Sequence, residues 1–396
     1  MKVVRSSRGI AAFAVLALVL ACLTTAPPAA VASVGAEANP VRATTTTPVP
    51  CAFWNQQLPT DWYLPPAAPI GLLYAQHGFG ETKDDWSDFA TSAAAAGFVV
   101  FAPTLPTANL FGCTVQSLGD NTRFLTHIAA LFTDASKETS ALAKSFATAL
   151  ALAGRTDLTL PNKLAIIGHS IGAESALYVA SRLVADDQAG AELHGIVLAD
   201  PVRSLAGGNL AAAVQELAGH LVPTAAVPTA AEPPAPEQAA PEQAAPEQAV
   251  PEEAVPEEAV PEEAAPEPAA GAAESSPAEP TVPQNAPLPV LVVAAPAQAC
   301  NGQQSGTRAI ISGLPERTFF GAAISTGSHA DIFGGSVNKD ERLTCGLPRQ
   351  VNIDATRTLA LGWLTDAVTG TTTADLYPGG ASYDTLLSKG VIATLR

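Results

Sequence analysis

Short apolar runs punctuated by glycine and proline recur along this chain, and between them lie stretches with apolar residues at helical spacing. The run at 69–76 reads as a buried strand, as does 98–102, which Pro103 stops; 61–65 reads as an earlier strand. Residues 163–167 and 194–199 give two more, and 289–294 and 318–325 a further pair. Between them, 82–96 carries Trp86, Phe89 and Ala93 on one helical face, 120–153 is helical in two pieces, and 173–184 is an alanine-rich helix. A helix over 353–368, with Leu359 and Trp363, is expected to close the chain. Strands alternating with helices predict the α/β class: a mostly parallel sheet with helices on both faces.

Two stretches break the pattern. From Pro236 to Ala270 the chain runs through seven five-residue units of the form P-E-x-A-x. Proline at every fifth position forbids a continuous helix and no apolar face exists to bury, so this Pro/Glu/Ala-rich insertion is expected to be disordered. Residues 204–222, just before it, are alanine-rich and amphipathic and are expected to form a lid helix over the site. The other break is N-terminal. Lys2, Arg5 and Arg8 precede an apolar run ending at Leu23, followed by small residues with A-x-A sites, the order of a secretory signal peptide. The chain is thus read as a signal peptide over 1–32, a disordered Ala/Thr/Pro-rich linker over 33–49 and a first folded part over 50–203. The lid and repeat occupy 204–285, and a second folded part spans 286–396.

Charge changes this picture little. The formal net charge is −17, but thirteen of the negatives are glutamates between Glu232 and Glu279, and no lysine or arginine occurs from Ser204 to Thr307. The remainder is close to neutral, with no basic patch suited to nucleic acid. Cysteine adds more. With Cys22 inside the signal, Cys51, Cys113, Cys300 and Cys345 remain, an even number that fits two disulfides in an exported protein. Of the three pairings, Cys51 with Cys113 and Cys300 with Cys345 is expected, each bond stapling one half of the interrupted domain. Val19-Leu20-Ala21-Cys22 also resembles a lipobox, so the alternative to free secretion is a cell-surface lipoprotein anchored at Cys22.

The chemistry is carried by Gly168-His169-Ser170-Ile171-Gly172, between the strand at 163–167 and the helix at 173–184. G-x-S-x-G at such a junction presents a serine on a strained turn at a helix N-terminus, where an anionic intermediate is stabilised. A serine nucleophile needs a base, and the base needs an acid. In this topology they follow in the order serine, acid, histidine, each at the end of a strand. Of the histidines after Ser170, His194 starts a strand and His220 borders the low-complexity tract; His329, in Gly327-Ser328-His329-Ala330-Asp331, follows the last strand and is the expected base. Asp200, in Asp200-Pro201-Val202, is the expected acid, because 295–306 offers no Asp or Glu one strand later; Asp331 is expected to shape the histidine's loop. The amides of Phe79, in His77-Gly78-Phe79-Gly80, and Ile171 are the expected oxyanion donors. Cysteine spacing is too wide for a metal cluster and no H-E-x-x-H occurs, so neither metal nor cofactor is called for.

At these residues the chain resembles the α/β-hydrolase superfamily over about 51–203 and 286–369. The elbow, Asp200-Pro201-Val202 and Gly327-Ser328-His329-Ala330-Asp331 are similar to the chlorophyllase and platelet-activating-factor acetylhydrolase-like branch, and the His77-Gly78-Phe79 turn also to secreted polyester hydrolases and lipases. The resemblance implies an α/β-hydrolase fold and a secreted serine ester hydrolase, working through an acyl-enzyme on a small-molecule, lipid or polymer ester. Phe79 and Trp86, expected near the mouth, favour an apolar acyl group. Two alternatives share these residues: an exported acyltransferase on envelope lipids or glycans, and a non-catalytic surface protein built on a hydrolase scaffold, its repeat in contact with the envelope.

Overall fold

The computed structural model describes residues 39–186, 191–206, 208–219, 288–315 and 319–395. The expected signal peptide with Cys22 and the P-E-x-A-x repeat lie outside the described residues. The chain opens with strands β1 (Val41–Cys51), β2 (Trp54–Leu64) and β3 (Gly71–Gln76), followed by α1 (Ser87–Ala95), β4 (Phe98–Pro103), α2 (Thr122–Thr133) and α3 (Ala141–Ala153). Then come β5 (Lys163–His169), α4 (Ile171–Val184), β6 (Glu192–Ala199), α5 (Asn209–Ala218), β7 (Val290–Ala294), α6 (Ser305–Gly313) and β8 (Gly321–Ile324). The C-terminal part adds α7 (Lys339–Cys345), α8 (Gln350–Thr369), α9 (Ala381–Ser388) and β9 (Ile392–Leu395).

Among the described residues the strands form one sheet in the order β1-β2-β4-β3-β5-β6-β7-β8-β9. From β4 across to β8 every pairing is parallel, while β1, β2 and β9 attach antiparallel. The inner strands are apolar on both faces, as strands covered by helices must be. Leu72, Tyr74, Leu164 and Ile166 face one core layer, shared with the buried sides of α2 to α6. Their neighbours Leu73, Ala75, Ala165 and Ile167 face the other, with α1, α8 and Tyr383 of α9. The fold is therefore α/β, a mostly parallel sheet between two helical layers, as the alternation of runs predicts.

Three expectations are corrected. Residues 41–49 are not a linker but most of β1, paired along its length with β2. Threonine is a good strand former, and Ala43, Thr45, Thr47, Val49 and Cys51 are buried in strict alternation. Pro48 and Pro50 are tolerated because β1 is an edge strand. The buried threonines are satisfied by one another and by α3: the Ser145 hydroxyl lies 2.9 Å from Thr45 Oγ1 and accepts from Thr47 Oγ1 and Trp62 Nε1, each at 3.0 Å. Arg42 and Lys83 pair with the buried Asp61 at 2.5 and 3.1 Å, tying β1 and the chain after β3 to β2.

The second correction concerns 204–222. Helix α5 buries Leu210, Ala213, Val214 and Leu217 in the main core and packs against α4 and α6, so it belongs to the helical layer and is no lid. Its amphipathicity is that of any helix lying on a sheet layer. The third is the C-terminus: after α8 the chain adds α9 and closes on β9, which pairs with β8. Both disulfides form as expected, Cys51 with Cys113 and Cys300 with Cys345.

The Ser145 cluster yields a stability test. Replacing Ser145 by alanine strips a buried partner from the Trp62 indole and two threonine hydroxyls, and should cost about 1–3 kcal/mol. Urea unfolding followed by circular dichroism should show a lower midpoint with an unchanged slope.

Candidate active site

Strand order reverses between β3 and β5: the chain leaves β3 for β4 on one side, then returns to place β5 on the other. The loops at the C-terminal ends of those two strands therefore part, and that crevice is where parallel sheets bind ligands. Both candidate turns sit there. Ser170 follows β5 directly, at φ 55° and ψ −130°, as the residue capping α4. A non-glycine residue in this conformation is held against a steric penalty, and such residues cluster at functional sites. The strained turn is fixed by Ser170 N–H donating to Ala199 O and by its carbonyl accepting from Val202 N–H, both at 3.0 Å. Packing of the two turns leaves no room for side chains. A Cβ on Gly172 would lie 2.1 Å from the His77 carbonyl oxygen, and one on Gly78 would lie 2.7 Å from Ser170 Cβ.

The three residues named from chain order come together. His329 Nε2 lies 2.9 Å from Ser170 Oγ, and His329 Nδ1 lies 2.5 Å from Asp200 Oδ2. All three are buried. Asp200, also at positive φ, directly follows β6, and the loop after β7 reaches back to hold its carboxylate. Ala295 N–H donates to Oδ1 at 3.0 Å, and the buried amide of Asn301 lies 3.2 Å from both oxygens. Donors of this kind fix a carboxylate's orientation. Asn301 was not legible as part of the site, since it is neutral and stands beside Cys300 in a loop read only for acids.

A further buried layer lies behind these residues. Glu81, fully enclosed, accepts from Gly78 N–H at 2.5 Å and faces His169 Nδ1 at 2.8 Å through one oxygen and 3.0 Å through the other. His169 Nε2 lies 2.8 Å from the backbone carbonyl of His329. Burial works against charge on His169, but Glu81 outweighs it and the imidazole is pushed up to about 9. His169 in return helps hold the Glu81 carboxyl below its ordinary value, against its own burial. His77 is neutral: burial lowers its affinity for a proton, and its Nε2 accepts from Leu105 N–H at 2.8 Å, so that Nδ1–H donates to Gly78 O at 2.7 Å. The rule that selects His329 passes over His77 and His169 because both precede Ser170. The available signal was an ionisable residue inside the elbow and an acid just beyond the His77-Gly78 turn.

The remaining residues fall as follows. Ile171 opens α4, whose first amides have no acceptor within the helix. Phe79 is 55% exposed on the turn after β3. Trp86, expected at the mouth, is instead wholly buried against Phe89 and Phe333. It starts α1 on the core side of the sheet, so its helical spacing was a packing signal. Asp331 accepts from Ser328 N–H at 2.8 Å and so shapes the His329 loop; burial pushes its carboxyl up to about 6. His194 lies on β6 beside Glu192, away from the crevice. Among the described residues, no group of three His, Cys, Asp or Glu is disposed to hold a metal ion.

Comparison with known proteins gives a family. The model of the alpha/beta hydrolase family matches residues 72–330. No curated protein matches the chain. Among solved structures, a highly thermostable carboxyl esterase from Bacillus coagulans is similar at 19% identity, over 44% of this chain and 49% of that one, with a TM-score of 0.26. This chain thus spans about half the length of that esterase. A dienelactone hydrolase from Anabaena variabilis is similar at 11% identity over 83% of this chain and 99% of that one, with a TM-score of 0.42.

The Glu81–His169 pair links stability to pH. His169 binds its proton more tightly in the folded chain, about 9 against an ordinary 6.5, so its contribution is whole below pH 6.5 and is lost as pH rises through about 9. Thermal melts across that window should show the unaltered protein losing its advantage over a His169→Gln variant as pH rises.

Proposed function

The chain belongs to the alpha/beta hydrolase family, and from that premise we propose that it is a serine ester hydrolase with Ser170 as nucleophile, His329 as base and Asp200 as acid. The observation that carries this reading is the unbroken line from Ser170 Oγ through both ring nitrogens of His329 to Asp200. In the resting enzyme the serine hydroxyl donates to His329 Nε2, and His329 Nδ1–H donates to the carboxylate. Attack of Oγ on an ester carbonyl passes the serine proton to Nε2, and Asp200 stabilises the imidazolium that forms. The carbonyl oxygen takes up negative charge beside the amides of Ile171 and Phe79, which act as the oxyanion donors, helped by the positive end of α4.

Collapse of the intermediate breaks the ester C–O bond. The leaving alkoxide takes the proton from Nε2 and departs as the alcohol, leaving an acyl-serine. Water then repeats the sequence: Nε2 takes its proton, its oxygen adds to the acyl carbon, and Ser170 Oγ leaves with the proton returned. Besides the ester and one water molecule, the two half-reactions balance with the groups of this chain alone.

An apolar acyl group is supported by apolar side chains exposed on the loops that follow the sheet strands. Phe79 after β3, Leu110, Phe111 and Leu118 after β4, and Leu205 after β6 are exposed on loops at the C-terminal ends of the sheet strands. Ser117 N–H donates to Ser204 Oγ, which ties the second of these loops to the third. Export from the cytoplasm is supported by the two disulfides and by the N-terminal basic-then-apolar order of the sequence.

The test is hydrolysis of nitrophenyl esters from acetate to palmitate by the chain without its first 32 residues. Ser170→Ala should reduce kcat by about 10³-fold or more while the protein still melts cooperatively. Loss of fluorophosphonate labelling in the same variant identifies the nucleophile, and turnover equal to the unaltered protein's would overturn the assignment. Asp200→Asn, which keeps shape but removes charge, should lower kcat by about 10²–10⁴-fold with little change in KM.

A further inference from the structure

The acyl-transfer scheme leaves one buried charged pair without a task. Glu81 and His169 have essentially no exposed surface, lie behind the reacting line, and join the turn that carries Phe79, the turn that carries Ser170 and the loop that carries His329. Glu81 holds the turn that carries Phe79, through Gly78 N–H. His169 is the residue before the nucleophile, and its Nε2 meets the backbone carbonyl of His329. Its ring lies 4.5 Å from the His329 ring, centroid to centroid, and 4.5 Å from that of Phe333.

Hydrogen-bonding capacity fixes the charge. A backbone carbonyl only accepts, so Nε2 must carry a proton. The Glu81 carboxyl is held below its ordinary value against its own burial, and once ionised it only accepts, so Nδ1 carries a proton too. The ring is then an imidazolium, bound between a carboxylate and a carbonyl. A lone cation at that distance would oppose the positive charge His329 takes up during catalysis; the Glu81 carboxylate cancels it.

We propose that Glu81 and a doubly protonated His169 are a positioning pair, which locks the oxyanion turn, the nucleophile turn and the base loop into one arrangement. This rests on the esterase reading for what those three parts do. Neither residue touches substrate. Removing the Glu81 charge discharges His169, frees one end of its bridge and lets the Phe79 turn and the His329 loop move apart, with the cost falling on kcat and not on KM.

The pair also predicts an alkaline limit. The groups facing His169 are Glu81 and His77 from the turn after β3, His329 from its own loop and Glu341 from α7, with Asp85 facing His77 and Glu341. His77 is neutral, so the acids dominate and His169 keeps its second proton until the solution is alkaline. Its loss leaves one nitrogen without a proton, and either the carboxylate or the carbonyl then faces a lone pair.

Two measurements test the proposal. Two-bond proton–nitrogen correlation spectra of the full chain labelled with ¹⁵N-histidine, with His169 assigned through its contact with Phe333, read its charge without any need for turnover. The expected result is an imidazolium at pH 7 that Glu81→Gln converts to the neutral ring. With a nitrophenyl ester, Glu81→Gln should lower kcat by about 10–100-fold with KM held within about twofold, and should abolish the alkaline limb. Glu81→Asp, which restores the charge on a shorter arm, should recover part of the loss; if Glu81→Gln does not fold, the charge state of His169 in the unaltered protein decides. A neutral His169 at pH 7 in the unaltered protein overturns the proposal, as does a Glu81→Gln enzyme with unchanged kcat and pH profile. Absence of Ser170-dependent turnover in the unaltered protein, with His169 an imidazolium that Glu81→Gln discharges, overturns the esterase reading and upholds the charged pair.

Discussion

The closeness of two backbones governs this molecule. Where β3 and β5 end side by side, the chain after β3 passes so near the start of α4 that Gly172 has no space for a methyl group. That approach forces Ser170 into its positive-φ turn and puts its hydroxyl at the floor of the crevice. The rest follows from geometry already imposed by the sheet. Strand β6, next in register, delivers Asp200 beside the serine, and β8 ends where its following loop carries His329 back across both. A parallel sheet with a reversal of strand order supplies such a place at its C-terminal edge, and this chain fills it with Ser170, His329 and Asp200.

Such a concentration of buried polar groups is costly unless each finds a partner, and here the partners are drawn from several loops. Asn301 and the Ala295 amide answer the Asp200 carboxylate, the Leu105 amide answers His77, and Glu81 answers both His169 and Gly78. All of these contacts except that of Glu81 with Gly78 cross between segments distant in sequence. The crevice is thus held by a web of hydrogen bonds, while the helical layers on either side are held by apolar burial.

Much of this was legible beforehand, and the reasons differ by residue. Strands β3, β4, β5 and β6 announce themselves because strands covered on both faces must be apolar throughout. Ser170, Asp200 and His329 are found together because the topology restricts their order, and order is a property of sequence. Glu81 and Asn301 escaped because they act through other residues, at positions that no spacing rule reaches. Strand β1 escaped for another reason: Thr-rich sequence with two prolines has the composition of a stalk, and only the alternate burial of Ala43, Thr45, Thr47 and Val49 against α3 and β2 shows a strand. Strand β9 escaped because it is only four residues long and half-buried.

The second disulfide has a consequence beyond stapling. Cys300 is adjacent to Asn301, the amide that grips the Asp200 carboxylate, and Cys345 ends α7, which carries Glu341 toward His169. The bond therefore joins the loop that holds the Asp200 carboxylate to the helix that carries Glu341, and does not tie down the sheet. Reduction would reach the chemistry before it reached the core. A reductant would therefore loosen the grip on the Asp200 carboxylate first.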